Sequence, residues 1–408
     1  DVRYSFERLL QNQESQSRLL LSPILGATAL INGEKQELEG FKIVSAFEFT
    51  IDLGYPISFF PSLVAYAPSS IVPEATEVID GGWRDSCVGT GPFRVIRFNP
   101  RHRLELEANP NYWRRGYPKS DGLVFTFGIS QDDILAGFQN GQFSIVGSLL
   151  PLGIETLRNN REFVTGYREM PSFSSFFIAL NINKAPLINE KLRRKFTQLI
   201  DIPALLRKHI GRRAIKAYGI IPPGLLGHEK TFLQPITENK TKFLVENVEL
   251  TCTIPPSFLQ GAYGTFYNAL FDLLRNEGFS INIISKTIDE FLKIQAEASA
   301  DLSITGWIAD YPDADAFIYG VLHSEHGNVG RFCGKKEIDL LIEKGRSESD
   351  PVIRHSIYRE IEEPIERHAL LLPLFHPQAC RFARPEIEGF ELNPFAPFVA
   401  YDKLWTRL

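Results

Sequence analysis

Apolar and polar residues alternate over several segments in the first third of the chain, which predicts a small antiparallel sheet. Residues 93–98 and 104–108 each alternate, and a polar turn joins them as in a β-hairpin. Residues 123–127 follow as a third strand. A helix over 132–140 is expected to end at Gly141, because glycine readily adopts the left-handed conformation that closes a helix.

A buried strand and an amphipathic helix are predicted next. Residues 176–181 are mostly apolar, which is typical of a strand covered on both faces. Asn189 then offers a helix N-cap, and Leu192 and Phe196 are spaced to lie on one face of the helix. We expect Arg193 to point outward from this helix.

Strands and helices alternate after residue 246, which predicts a parallel α/β sheet. The strands are expected at 248–254, 280–285, 301–306 and 370–375, and the helices at 266–276, 288–298, 336–345 and 352–368.

The change of pattern at residue 246 predicts two lobes and a smaller subdomain. Residues 86–245 and 385–408 are expected to form lobe I, and residues 246–384 the α/β lobe II. Residues 1–85 are expected to form a partial small subdomain, because a helical start is followed there by apolar segments interrupted by prolines.

Length and charge narrow the classes of function. The chain has 408 residues, 44% hydrophobic and 23% charged, as in folded proteins of more than one domain. Its net charge of −5 gives no basic excess for phosphates, so we expect no nucleic-acid partner. Prolines interrupt the apolar segment 54–73, which therefore cannot be a membrane helix. Because no signal sequence precedes Asp1, we expect a mature form or an excised piece.

Four cysteines occur at wide spacing and form no CxxC motif, which argues against a zinc knuckle or a thioredoxin-like site. They are Cys87, Cys252, Cys333 and Cys380. Three full disulfide pairings are possible for four cysteines, and the spacing selects none of them. Unpaired, partly buried thiols are the alternative.

Known catalytic and cofactor motifs are missing from the sequence. The Gly-Thr-Gly at 89–91 leads through a proline into a strand, whereas a dinucleotide-binding loop leads into a helix. No GxxxxGK[ST], HExxH or GxSxG motif occurs. His323 and His326 flank a carboxylate and offer a metal site, with a solvated loop as the alternative. We predict a binding protein without cofactor or metal, and not an enzyme.

Three acids, Asp310, Asp313 and Asp315, lie within one short segment. Paired acids can serve acid–base chemistry or bind calcium, but the glycine and terminal glutamate of an EF-hand are missing here. For Asp313 and Asp315 the alternative is turn and N-cap chemistry before residues 316–319.

Several motifs, taken in order along the chain, resemble the peptide- and nickel-type solute-binding proteins of bacterial ABC importers (extracellular solute-binding family 5). They are DVRYSFER at 1–8, GTGPF at 89–93, NPNYW at 109–113, GYP at 116–118, NINKAP at 181–186, LR at 192–193, ID at 200–201 and WIADYPDADAF at 307–317. Each motif is weak alone, and their common order makes the resemblance strong.

The resemblance implies a two-lobe α/β fold like that of periplasmic binding proteins, of class II and peptide-binding type, with an appended smaller subdomain. It implies a solute receptor of an ABC importer, which captures a peptide or similar small solute in an interlobe cleft by hinge closure. The receptor would dock on a membrane permease. We expect a monomer, periplasmic or lipid-anchored outside the cytoplasmic membrane.

The candidate ligand-binding residues are Asp310, Trp307 and Tyr311. They follow the predicted strand at 301–306, at the carboxyl edge where α/β sheets bind ligands. The resemblance implies that Asp310 holds a peptide α-amino group, with Trp307 or Tyr311 as a flat apolar wall. Dipeptide-type members use an arginine shortly before this motif, whereas this chain has Lys293, which cannot form a bidentate fork with a carboxylate.

A second hypothesis comes from a departure from the family pattern. A long stretch precedes the DVxYSxxR segment in the family, and this sequence does not contain it. The alternative hypothesis is therefore that the chain is the ligand-sensing domain of a larger regulatory or signalling protein. A longer peptide held through its backbone, or a non-peptide ligand, fits the sequence as well as a dipeptide does.

Overall fold

A computed structural model of the chain describes residues 1–13, 15–74, 88–229, 247–260 and 263–407. The helices are α1 (Val2–Gln11), α2 (Ala27–Ile31), α3 (Phe60–Val64), α4 (Gln131–Gln139), α5 (Pro151–Arg158), α6 (Glu190–Gln198), α7 (Ile202–His209), α8 (Gly264–Asn276), α9 (Ile288–Glu297), α10 (Asp315–Phe317), α11 (Gly330–Cys333), α12 (Lys336–Ser347) and α13 (Pro351–Arg367). The strands are β1 (Phe41–Ser45), β2 (Glu48–Ile51), β3 (Phe93–Asn99), β4 (Arg103–Ala108), β5 (Gly122–Thr126), β6 (Ile145–Val146), β7 (Tyr167–Pro171), β8 (Ser174–Leu180), β9 (Ala214–Lys216), β10 (Val248–Thr253), β11 (Phe279–Ile283), β12 (Leu302–Ile308), β13 (Leu371–Ala383), β14 (Ile387–Glu388) and β15 (Trp405–Thr406). Within these described ranges, no helix has both the length and the apolar character needed to cross a membrane.

The described residues divide into two compact units. Unit 1 comprises 1–149, 156–168 and 381–408, and unit 2 comprises 150–155 and 169–380. This division differs from the boundary predicted at residue 246. The reason is that β8, which precedes that point, pairs with β12, which follows it, from Ser174 opposite Ile308 to Leu180 opposite Leu302. Strands from both sides of residue 246 therefore lie in one sheet.

Unit 1 contains the antiparallel sheet that the alternating pattern predicts. Its strand order is β3-β4-β5, with Val95 opposite Leu106 and a register shift between Val95 and Arg97. The predicted helix also forms, as α4, and the hydroxyl of Ser130 caps it by accepting from the backbone N–H of Asp133. Gly141 follows with φ of +83°, which is the left-handed conformation expected of a residue that closes a helix.

A separate hydrophobic cluster fixes the start of unit 1. Helix α1 buries Phe6 and Leu10 on one face, and they pack with Leu21, Leu30 and Phe41. Phe41 meets Phe6 edge to face, with ring centroids 6.2 Å apart. These residues form an apolar core at the start of the chain. It buries the apolar face of α1, as expected of an amphipathic helix.

Unit 2 is built on a mixed sheet in the order β11-β10-β12-β8-β13. Strand β10 runs parallel to both β11 and β12, which confirms the parallel α/β arrangement predicted for these three strands. Strand β8 then pairs antiparallel with β12 on one side and with β13 on the other. The sheet is therefore parallel at one edge and antiparallel beyond β12.

Aromatic rings fill the core between this sheet and the helices of unit 2. Phe375 on β13 is fully buried and stacks on Phe176 of β8, with centroids 4.8 Å apart. Tyr263 and Phe266 each place a ring centroid 5.3 Å from that of Phe375. Phe375 thus joins two neighbouring strands to the start of α8.

Arg193 corrects one expectation from the sequence. It does not point outward but is 5% exposed, and its guanidinium donates to backbone carbonyls. These acceptors are Leu187, Ile188, His368 and Ala369. A five-donor planar group can be buried when its N–H groups find acceptors, so Arg193 ties α6 to the turn between α13 and β13.

Replacing Phe375 by alanine should destabilise unit 2 strongly. Truncation of a fully buried phenylalanine leaves a cavity, and the free energy of unfolding should fall by about 3–5 kcal/mol. Urea denaturation followed by circular dichroism measures this loss. Leu292→Ala, at a 53% exposed position on α9, is the matched control and should change stability by less than about 1 kcal/mol. Equal losses for the two variants would contradict the assignment of Phe375 to the core.

Candidate functional site

Trp307 lies near the carboxyl end of β12, as the sequence predicts. The indole is half-buried and covers Gly320, where a Cβ atom would lie only 3.1 Å from Trp307 Cζ2. Its Nε1 is buried and has no hydrogen-bond acceptor among the described residues. A buried indole N–H usually has a partner, so an unsatisfied donor at this place is unusual.

Asp310 and Tyr311 follow in the turn after β12, and the structure separates their environments. Asp310 is half-buried, while Tyr311 is 5% exposed. The Tyr311 hydroxyl donates a 2.8 Å hydrogen bond to Asp315 Oδ2. Burial, followed by the neighbouring charge of Asp315, raises the pKa of Tyr311 well above its usual value. Of the predicted pair of aromatic walls, Trp307 is thus the more accessible and Tyr311 belongs to the packing beneath the turn.

Asp315 is a fully buried carboxylate at the start of α10. Burial raises its pKa to about 6, and the charge of Arg346 opposes this rise. Arg346 Nε lies 3.3 Å from Asp315 Oδ1, and the guanidinium also lies over the ring of Tyr319 at 3.7 Å from the centroid. This cation holds a negative charge inside unit 2 that would otherwise be costly to bury.

Asp313 makes the most regular ion pair of the segment. Arg354 of α13 donates from both terminal nitrogens, at 2.8 Å to Oδ2 and 2.6 Å to Oδ1 of Asp313. The same guanidinium donates through Nε to the carbonyl of Gly345, at the end of α12. Asp313 Oδ1 also accepts from the backbone N–H of Asp315, which agrees with the turn chemistry expected for these acids. The turn is therefore clamped against two helices.

The sequence did not indicate the two arginines that hold these acids. Arg346 and Arg354 lie more than 30 positions beyond Asp315. The spacing of apolar residues predicts their helices but does not indicate that these arginines meet the acids. A possible signal is that each arginine falls on the buried side of its helix, where an unpaired cation would be unfavourable. The three clustered acids then supply the missing negative charges.

His323 and His326 do lie together, with stacked rings 4.8 Å apart. His323 Nδ1 accepts from the backbone N–H groups of Glu325 and His326, and its Nε2 lies 3.5 Å from a carboxylate oxygen of Glu343. Burial lowers the pKa of His323, which favours the neutral ring that these contacts require. Among the residues that the structure describes, no group of three or more His, Cys, Asp or Glu side chains is arranged to hold a metal ion.

The remaining candidates from the sequence are the four cysteines and Lys293. Cys252 and Cys333 are free, buried thiols, and burial raises the pKa of Cys333 to about 12. Cys380 is buried too, and its Sγ lies 3.7 Å from the carbonyl oxygen of Arg212. Cys87 lies outside the described residues. Lys293 is exposed on α9.

Comparison with protein families identifies the chain. Residues 1–250 match the model of the bacterial extracellular solute-binding proteins, family 5 (middle). The chain belongs to extracellular solute-binding family 5. One relative, "Probable di/tripeptide-binding protein 5" of Pseudomonas aeruginosa, is 27% identical over 97% of this chain and 77% of its own length. The resemblance seen in the sequence motifs is thereby confirmed.

The fold is shared with solved structures of peptide-binding proteins. OppA of Burkholderia pseudomallei matches with a TM-score of 0.81 and 17% identity, over 100% of this chain and 84% of that one. The murein tripeptide binding protein MppA of Escherichia coli matches with a TM-score of 0.80 and 17% identity, over 99% and 82%. The predicted α/β fold of the periplasmic-binding-protein type is confirmed by these likenesses.

Breaking the Asp313–Arg354 pair should destabilise unit 2. Arg354→Met leaves a carboxylate whose side chain is 14% exposed without its cation, and the free energy of unfolding should fall by about 3–5 kcal/mol. Urea denaturation at pH 7 provides the measurement. Arg359→Met is the control on the same helix, because that side chain is 53% exposed and lies 3.8 Å from Glu229. It should cost less than about 1 kcal/mol. An unchanged midpoint for Arg354→Met would show that the clamp is unnecessary.

Proposed function

We propose that the chain is the solute receptor of an ABC importer and that it captures a peptide or a similar small solute. The observation that carries this proposal is the position of Asp310, a half-buried carboxylate in the turn after β12, close in sequence to the accessible indole of Trp307. The family to which the chain belongs, and the di/tripeptide-binding name of its relative, favour the same ligand class.

Asp310 is the residue proposed to hold the positive end of the ligand. A carboxylate that loses water when the ligand enters needs a charged partner, and the α-ammonium of a peptide provides one. Trp307 offers a flat apolar surface for the adjacent peptide unit. Tyr311 contributes by fixing Asp315 beneath the turn rather than by contacting the ligand.

The carboxyl end of the ligand is proposed to be held more loosely. Lys293, the cation nearest to the motif on the preceding helix, is exposed on α9 and cannot form a bidentate contact with a carboxylate. This favours ligands that are recognised through their ammonium group and backbone, including peptides longer than two residues.

The remaining parts of the proposal concern how the receptor works. The receptor closes on the ligand by hinge bending, and the closed form docks on a membrane permease. The protein acts as a monomer, in the periplasm or lipid-anchored outside the cytoplasmic membrane. It performs capture without chemistry, since no nucleophile with a base and an orienting group is found in the sequence motifs.

Asp310→Ala should weaken peptide binding by roughly 30-fold or more, because an unpaired buried charge costs about 2–5 kcal/mol. Native mass spectrometry of the protein as purified first identifies the bound peptide, or trialanine serves as the probe. Calorimetric titration then compares wild type and variant with that peptide and with its N-acetylated form. N-acetylation should weaken binding to wild type by a similar factor and should cause no further loss in Asp310→Ala.

Asp289→Ala, which removes an exposed acid from α9, is the matched control and should bind the peptide as wild type does. Equal affinity of wild type for the free and the acetylated peptide would contradict the role of Asp310. Failure to bind any peptide from a library of two to five residues would contradict the peptide ligand itself.

A further inference from the structure

A cavity lies within unit 2, and none of its lining residues belongs to the turn after β12. It has a volume of about 240 Å³ and is open on one side. Its walls come from the end of α6, the start of α7, the segment after β9, the end of α13 and the start of β13. Cavities of about 150 Å³ with apolar walls accommodate benzene, so this one has room for a small organic molecule.

Most of the cavity wall is apolar. Ile200, Ile202, Ile365 and Leu371 line it, and each of them is 7% exposed or less. Such a surface favours a hydrocarbon body of the guest, because apolar groups gain free energy when they leave water.

Glu362 places a carboxylate in this apolar wall. The residue is 4% exposed, and its Oε1 accepts a 2.9 Å hydrogen bond from the backbone N–H of Ile220. Within the described residues, no lysine or arginine forms an ion pair with Glu362, although Arg193, Arg346 and Arg354 elsewhere in unit 2 satisfy buried groups. A buried carboxylate that lines a cavity and has no cation partner can be neutralised by a cation that enters the cavity.

The other charges near the cavity favour a cation as well. Glu366 lies one helical turn beyond Glu362 and is exposed, and both Glu366 and Lys216 of β9 line the cavity. Glu229, on the segment after residue 222, adds a third negative charge that acts on Glu362. Glu229 is itself paired with Arg359 at 3.8 Å, so Glu362 and Glu366 against Lys216 leave the cavity with one excess negative charge when all are ionised.

We propose that this cavity is a second ligand site, which binds a small organic ammonium ion by placing its charge against Glu362 and its hydrocarbon body against the isoleucine and leucine walls. The site is separate from the peptide site proposed at Asp310 and does not depend on it. Its ligand class is a primary amine with a compact apolar body of about six carbon atoms, judged by the cavity volume.

Calorimetric titration with cyclohexylammonium at pH 8 tests this proposal, with cyclohexanol as the uncharged molecule of the same shape. Wild type should bind the ammonium at least about tenfold more tightly than the alcohol, because charge-assisted hydrogen bonds are the stronger ones. Glu362→Gln should remove this difference while it retains an oxygen that accepts from Ile220. Glu360→Gln, at an exposed position of the same helix outside the cavity, should bind both molecules as wild type does.

Asp310→Ala should also leave cyclohexylammonium binding unchanged, which distinguishes this site from the proposed peptide site. Equal affinities of wild type and Glu362→Gln for the ammonium would overturn the proposal and leave Glu362 with a structural role only. Absence of binding to wild type at millimolar concentration would overturn it too.

The pH dependence of wild type gives a test that needs no variant. Burial raises the pKa of Glu362 to about 8, so below that pH an entering cation must displace a proton. Affinity for cyclohexylammonium should therefore rise by about tenfold per pH unit between pH 6 and pH 8 and level off above. Affinity for cyclohexanol should stay nearly constant. A flat profile for the ammonium would contradict the assignment of its charge to Glu362.

Discussion

The ion pair between Asp313 and Arg354 is the contact on which the geometry of the candidate site depends. It joins the turn after β12 to α13 through two hydrogen bonds, and Arg354 continues to the carbonyl of Gly345 at the end of α12. Because a guanidinium holds a carboxylate in one plane, the turn has little freedom to shift along the helices. Asp310, three residues before Asp313, is thereby presented from a fixed backbone.

The same arrangement separates structural acids from the one proposed to bind ligand. Asp313 and Asp315 have arginine neighbours inside unit 2, and Tyr311 is committed to Asp315. A site that must bind and release a solute benefits from such division, since preorganised groups lose little entropy when the ligand arrives. Asp313 and Asp315 can stay paired with their arginines while the ligand proposed at Asp310 binds and leaves.

Much of this arrangement could be predicted from the sequence, and the exceptions share one cause. Apolar spacing predicted β10, β11 and β12, the helices between them and the N-cap at Asn189, because these depend on neighbours along the chain. It did not reveal that β8 enters the same sheet, that Arg193 is buried, or that Arg354 meets Asp313. Each of these contacts joins residues more than 40 positions apart. A local sequence pattern does not indicate which distant residue a side chain or strand will contact. The family motifs narrowed the class of function, whereas the arginines that pair with Asp313 and Asp315 could be identified only from the folded structure.

The position of β8 in the middle of the sheet has a consequence for how the protein is made. This strand leaves the ribosome early, yet β12 and β13, which cover its two edges, begin only at Leu302 and Leu371. At roughly 5–20 residues per second, a nascent chain waits on the order of 10–40 seconds for the second of them. Both edges of this apolar strand are unpaired until β12 is made, and one edge stays open to pairing with other chains until β13 is made. Nascent-chain binding by a chaperone would be most useful in this interval, before β13 covers the second edge of β8.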